Sequence, residues 1–249
     1  GERAVRGGDN REKGTGAWST ALGGSADRAE ARVTLWMPAP VAYGVRELPR
    51  LPGIQLPDAV TVTGVFPTHA DVVLLVVPVQ TARSVSVALE GVLAPGVPVV
   101  TCCKGLEQAT SLLPLTVLAE TMPDRPTAVL SGPNFAIEIA KGLPAAATLA
   151  STDLTLAKHL TSILNSSSFR LYASDDIAGV QLAGAAKNVV AIGAGIVIGA
   201  GLGENGRAAL ITRAVAEIAR MAEALGGRAA TLAGLSGVGD LILTCTGRG

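Results

Sequence analysis

The sequence predicts a doubly wound α/β domain followed by an all-helical second unit, with the change near residue 173. Three observations carry that expectation. Short valine-rich runs recur through the first two thirds, stretches of helical spacing separate them, and strand-like alternation ceases after residue 174. Runs that are apolar at consecutive positions suit strands covered on both faces of a parallel sheet.

In chain order, the candidate strands are residues 32–36 (RVTLW), 72–77 (VVLLVV), 97–102 (VPVVTC), 128–131 (AVLS) and 169–172 (FRLY). Helical spacing covers 81–93 and 112–121, and 133–141 (PNFAIEIAK) begins with a proline suited to a first helical turn. The helical unit opens at Ser174, a good N-cap type, with Asp175 and Asp176 favoured by the helix dipole. Its first stretch, 178–203, is apolar but interrupted by Lys187, Asn188 and several glycines. It reads as a buried helix rather than a membrane span, which needs about 20 mostly uncharged apolar residues. Residues 206–225 then place Leu210, Ile211, Val215, Ile218, Met221, Ala222 and Leu225 on one helix face, ended by Gly226 and Gly227.

Composition narrows the function. With 16% charged and 49% apolar residues the chain is expected to be globular rather than disordered. Acids and bases balance at 20 each, which leaves no electrostatic footprint for nucleic acid. Cys102, Cys103 and Cys245 form neither a disulfide framework nor a metal pair, so a reducing, cytoplasmic setting is expected. The basic N-terminal residues are not followed by the apolar run of a secretory signal.

Catalytic bases are scarce. His69 and His159 have no triad partners, no metal motif is present, and Tyr43 and Tyr172 lack a lysine four residues on. Two lysines stand out instead. Lys104 follows a predicted parallel strand, at the end where open α/β sheets bind ligands. A solvated loop lysine would look the same. Lys187 sits inside LAGAAKNVVAIG, where desolvation favours the neutral amine and hence proton transfer. Asp240, among apolar residues in GVGDLILTCT, needs a cationic partner if buried, and Lys187 is the natural one; a plain N-cap is the alternative. SGPNFA, residues 131–136, carries backbone N–H groups from strand into helix, as an anion or nicotinamide site or an ordinary tight turn would. Residues 14–22, GTGAWSTAL, resemble a dinucleotide-binding turn with Gly14 and Gly16 in place and Ser19 where a third glycine belongs.

LPGIQLP, VVP, KGLE, SGPNFAIEIAKGLP, GVQLAGAAKNVVAIGAG, ALITR and GVGDLILTCT, in this order and spacing, closely resemble the bacterial NAD(P)-dependent glycerol-3-phosphate dehydrogenases. The resemblance implies a Rossmann-like domain over 1–173 and a helical substrate and catalytic domain over 174–249. It further implies reduction of dihydroxyacetone phosphate to sn-glycerol 3-phosphate, with Lys187 as proton donor and acceptor. Lys104 would stabilise the alkoxide and touch substrate and cofactor, and Asp240 would orient and balance Lys187. Gly132, Asn134, Asn188 and Thr244 match substrate-binding positions; Gly14, Gly16, Ala17, Trp18 and Ala136 match cofactor-binding ones.

Three departures from the pattern are visible. GGDNREK precedes the glycines where the family has an apolar strand, Ser19 replaces the third glycine, and the sequence ends before the family's Ser-Arg-Asn segment. It therefore reads as an incomplete chain. Either NAD or NADP fits, because WMP at 36–38 supplies neither an acid nor an arginine for the ribose. Two other readings are another two-domain hydroxyacid dehydrogenase of the superfamily and a non-catalytic remnant with impaired cofactor binding. The expected partner is a small-molecule substrate, with no nucleic acid and no membrane span, and Ala- and Gly-rich helical faces suit a homodimer.

Overall fold

The computed structural model describes the backbone of residues 2–7, and residues 32–36, 53–66 and 68–247. Among these, eight strands form one sheet: β1 (Glu2–Gly7), β2 (Arg32–Trp36), β3 (Val60–Thr63), β4 (Val72–Val76), β5 (Val99–Thr101), β6 (Thr127–Ser131), β7 (Ala145–Ala150) and β8 (Phe169–Ser174). Their spatial order is β3-β2-β1-β4-β5-β6-β7-β8. Every pairing is parallel except β6 with β7. The sheet is thus mixed rather than wholly parallel, because β7 follows β6 through a short excursion, with room for an antiparallel return but not for a full crossover.

The expectation that no strand precedes the glycines is corrected by β1. It pairs with β2 on one side, Glu2 opposite Arg32, and with β4 on the other, Arg3 opposite Val72. ERAVRG hides this role because its charges are unusual for a central strand. Strand preference depends on context, and pairing on both edges overrides it. β1 ends at Gly7, and residues 8–13 intervene before Gly14. Two further strands, β3 and β7, carry too little apolar character to be read from sequence: VTVT is partly exposed and AAATLA is mostly alanine.

β4 explains why the sheet is covered on both faces. Val72, Leu74 and Val76 point into one apolar cluster with Val33, Leu35, Val100, Leu130 and Leu149, while Val73, Leu75 and Val77 point into a second with Val99 and Val129. Alternation over a fully buried strand requires a helix layer on either side. α1 (Val79–Glu90) supplies Ala82, Val85, Ser86 and Leu89 to one face at helical spacing, with α2 (Pro114–Thr121) beside it. On the opposite face, α4 (Leu154–Leu164), capped by Asp153 accepting from the Thr155 N–H, supplies Ala157, Leu160 and Leu164. The short α3 (Ala136–Ala140) starts three residues after Pro133, not on it.

After β8 the chain is helical: α5 (Ile177–Gly199), α6 (Gly203–Ala224), α7 (Ala229–Leu232), a π turn (Leu235–Gly239) and α8 (Asp240–Thr246). Asp176, not Ser174, caps α5, accepting from the Gly179 N–H at 2.9 Å. α6 closes with Gly226 donating to the Glu223 carbonyl and Gly227 to that of Ala222, a Schellman arrangement. Leu182, Ala183, Val190, Ile218, Ala222, Leu232 and Leu241 form the core of this unit. α5 is only partly the buried helix expected: residues 179–184 are buried, but Val189, Ile192 and Ile196 are exposed. α5 and the segment Ala229–Thr246 are long and apolar enough by composition to cross a membrane, a weak sign given that α5 packs its first half against the sheet.

Arg125 ties the sheet to α1. Its buried guanidinium donates to Glu90 at 2.7 Å and to the carbonyls of Ala94 and Val97 at 2.9 and 3.2 Å. Replacing it by methionine strands those buried carbonyls, so Arg125→Met is expected to lose about 2–3 kcal/mol of stability in urea unfolding.

Candidate functional site

The carboxyl ends of β5 and β6 face the N-terminal half of α5 and the start of α8. Lys104 follows β5 in the loop 102–112, and this loop is held by α1. Gln80 donates to the Leu106 carbonyl and accepts from the Gln108 N–H, both at 2.9 Å. Arg83 grips the Glu107 carboxylate with two bonds of 2.9 Å, and Thr110 adds a third donor. Lys104 is therefore no free loop lysine. Its stem runs past Gly184 of α5, where a Cβ would stand 3.0 Å from Ser131 Oγ and 3.5 Å from Lys104 Cγ.

The three candidate catalytic residues meet. Asp240, fully buried at the first position of α8, accepts from Lys187 Nζ through Oδ1 at 2.8 Å and from Lys104 Nζ through Oδ2. Lys104 Nζ also donates to the Gly132 carbonyl at 3.1 Å. Lys187, the expected cationic partner of Asp240, does pair with it, and the carboxylate bridges to Lys104 as well. One negative charge thus faces two ammonium groups whose side chains are only 18% and 16% exposed. The arrangement retains excess positive charge for an anionic ligand or a developing alkoxide. Burial pulls the Lys104 ammonium down to about 8; Asp240 opposes that shift and Lys187 adds to it. Lys104 is consequently still mostly an ammonium at pH 7, but titrates far closer to it than an ordinary lysine.

The other expected positions lie around this centre. Asn188, next to Lys187, is exposed. Thr244 spends its hydroxyl hydrogen on the Asp240 carbonyl one turn back, at 2.6 Å, which leaves its oxygen free to accept. Asn134 is held so that both atoms of its side-chain amide are buried without a partner among the described residues. An orphaned amide of this kind, on the turn after β6, fits a polar ligand group. Ala136 begins α3. Gly14, Gly16, Ala17 and Trp18 lie outside the described residues. β1 nevertheless lies between β2 and β4, so the strand order reverses beside it, and at such a switch point open α/β sheets bind dinucleotides. Trp36, at the end of β2, marks where a ribose-reading side chain would come.

His69 and His159 are exposed. Cys102 and Cys103 are buried on opposite faces of the sheet, and burial pushes both thiols up, so neither is a thiolate nucleophile. No group of three metal-ligating side chains occurs among the described residues. Sequence reasoning missed Ser131 and Ser236, whose buried hydroxyls lack partners among the described residues. It also missed the π turn that delivers Asp240, a rare element frequent at functional sites. The glycines of GLSGVGD were its visible trace.

Comparisons with known proteins follow this geometry. Residues 13–157 match the family model for the N-terminus of NAD-dependent glycerol-3-phosphate dehydrogenase, and residues 176–249 match the model for its C-terminus. The chain is 76% identical over 236 residues to glycerol-3-phosphate dehydrogenase [NAD(P)+] of Gluconobacter oxydans, covering 95% of this chain and 73% of that one. It is 50% identical over 240 residues to the Bradyrhizobium enzyme of the same name, covering 94% and 73%. A crystal structure of the Coxiella burnetii glycerol-3-phosphate dehydrogenase superposes with a TM-score of 0.88 at 33% identity, over 99% of this chain and 76% of that one.

Removing Asp240 leaves two buried ammonium groups facing each other. Asp240→Ala is expected to cost about 3–5 kcal/mol at pH 7. The pH dependence has a fixed sign: Lys104 binds fewer protons folded than unfolded between about 8 and its ordinary 10.5, so stability rises with pH in that window. In the variant the window opens at lower pH. Denaturant unfolding at a series of pH values, with wild type alongside, checks both statements.

Proposed function

Because the chain belongs to the NAD-dependent glycerol-3-phosphate dehydrogenase family, we propose that it interconverts dihydroxyacetone phosphate and sn-glycerol 3-phosphate, supplying the latter for phospholipid synthesis. The observation that carries the proposal is the Asp240 carboxylate shared by Lys104 and Lys187 at the carboxyl edge of the sheet. In reduction, the Lys187 ammonium gives its proton to the ketone oxygen and recovers it in the reverse direction. Lys104 holds positive charge against the oxygen as it becomes an alkoxide, an interaction stronger in the transition state than in the ground state. Asp240 keeps both ammonium groups oriented and prevents their mutual repulsion from driving them apart. Asn188, Thr244, Gly132 and Asn134 bind substrate hydroxyl and phosphate oxygens.

NADH or NADPH, when bound, supplies the hydride. The residues that would hold the cofactor are Gly14, Gly16, Ala17 and Trp18 of the first turn, with Ala136 and Lys104 towards its nicotinamide end. The orphaned Asn134 amide and the strand order around β1 fit that assignment. β1 also takes away the main premise of a non-catalytic remnant. The division of labour runs between a cofactor domain up to about residue 173 and a catalytic domain beyond it. A cytoplasmic setting accords with three free cysteines, and a homodimer accords with the exposed apolar residues of α5.

Oxidation of NADH and of NADPH in the presence of dihydroxyacetone phosphate tests the reading. Lys187→Ala is expected to lower kcat by about 10²–10⁴-fold, the usual worth of a positioned proton donor. A variant as active as wild type would sink the assignment. Reduction should also slow as pH rises through about 8, where Lys104 loses its proton. Lys104→Arg, permanently charged, is expected to abolish that decline, visible in kcat/KM against pH.

A further inference from the structure

Asp176 stands outside the site, at the junction between β8 and α5, yet its buried carboxylate is bound from two elements. Oδ1 accepts from the Gly179 N–H of α5 at 2.9 Å. Oδ2 accepts from the Arg228 N–H at 2.9 Å and from Thr231 Oγ1 at 2.5 Å, both beyond α6. Desolvation raises this carboxyl, but Thr231 and the two N–H groups outweigh it and hold it below the usual range, as a charged clasp. The backbone is in contact as well: a Cβ on Gly227 would stand 2.8 Å from the Gly179 nitrogen.

From the clasp a continuous run of contacts leads to the Asp240 bridge. Thr231 precedes Leu232, which is fully buried in the core of the helical unit. The π turn folds back on Leu232 so tightly that a Cβ on Gly237 would come within 2.0 Å of the Leu232 carbonyl oxygen. Gly239 donates to the Gly234 carbonyl at 3.2 Å, and Asp240 follows directly. Asp240 then returns to α5 at Lys187. α5 is thus gripped twice by one short segment, at its cap through Asp176 and three turns later through Asp240.

We propose that Asp176 is a positioning residue: through Thr231, Leu232 and the π turn it sets where the Asp240 carboxylate stands between Lys104 and Lys187. Its kinetic consequence rests on the dehydrogenase reading, whereas its geometric consequence does not. The charged groups acting on Lys104 are Asp240 of α8 and Lys187 of α5, with the Cys102 thiol, just after β5, nearby. Those at Asp176 are Arg228 and the neighbouring Asp175, itself bound to Arg228 at 2.5 Å. Asp176 is not among the groups acting on Lys104 directly, so an effect on that lysine is relayed, through Asp240 or through Lys187 on the helix that Asp176 caps, and Thr231→Val, which leaves that cap in place, isolates the first route.

The test measures two quantities in wild type, Asp176→Asn and the gentler Thr231→Val. The first is the midpoint of acetic anhydride labelling of Lys104 against pH, resolved by peptide mass spectrometry, which needs no turnover. The second is kcat and KM against pH. Withdrawing Asp240 removes the interaction that supports the Lys104 ammonium, so its labelling midpoint should move below about 8 in Asp176→Asn and in the same direction, by less, in Thr231→Val. In parallel kcat should fall about 10–100-fold in Asp176→Asn, the cost of a displaced catalytic group, with the KM for NADH unchanged. A clasp that only stabilises the fold would lower Tm and move neither the midpoint nor the pH profile, and that result in Thr231→Val, or in both variants, overturns the inference. A shifted midpoint in a protein whose wild type does not turn over dihydroxyacetone phosphate supports the inference and rejects the dehydrogenase reading instead.

Discussion

The Asp240 carboxylate, buried between Lys104 and Lys187, is the interaction on which the rest of the structure depends. A lone carboxylate in that position would be costly, and two lysines without it would repel each other across a low-dielectric gap. Each group reaches the meeting point from a different element: a loop after β5, the middle of α5 and the start of α8. Burial of the charges is therefore affordable only when the sheet and the helical unit are docked. The three-way pairing makes the arrangement of these residues and the docking of the sheet against the helical unit a single condition.

That condition explains features that look unrelated. The loop carrying Lys104 is fixed by Gln80 and by the Arg83 clamp on Glu107, although none of these touches the site. Gln181 of α5 accepts from the Leu115 N–H at 2.7 Å and so caps the first turn of α2 from the other unit. A glycine at 184 lets α5 approach Ser131 and the stem of Lys104 closely enough for Lys187, one turn later, to reach the same carboxylate. Packing places the two amines against one carboxylate, where desolvation brings Lys104 down to about 8.

The fold was legible in the sequence wherever burial imposes a simple pattern. VVLLVV is buried on both faces, and nothing but a central parallel strand accounts for it. β1 was not legible, because ERAVRG is held by its neighbours rather than by its own preference, and β7 was not, because alanines carry no strand signal. At the site, Lys104, Lys187 and Asp240 could each be singled out as polar groups in apolar surroundings. That Asp240 serves both lysines could not be foreseen, since it depends on a π turn whose five residues, LSGVG, look like an ordinary glycine-rich loop. Asp176 was read only as one of two acids near a helix start, and its bond to Thr231, 55 residues on, has no local trace.

The cofactor side follows from the same logic with a different source of order. Dinucleotide binding in such sheets depends less on the count of glycines in the first turn than on where the first strand sits, because the strand aims the turn at the crevice where strand order reverses. β1 occupies that place with a neighbour on each side. The proposed cofactor side and proton-transfer side would thus rest on separate structural elements, β1 beside the sheet's switch point and the Asp240 bridge beyond the end of β5.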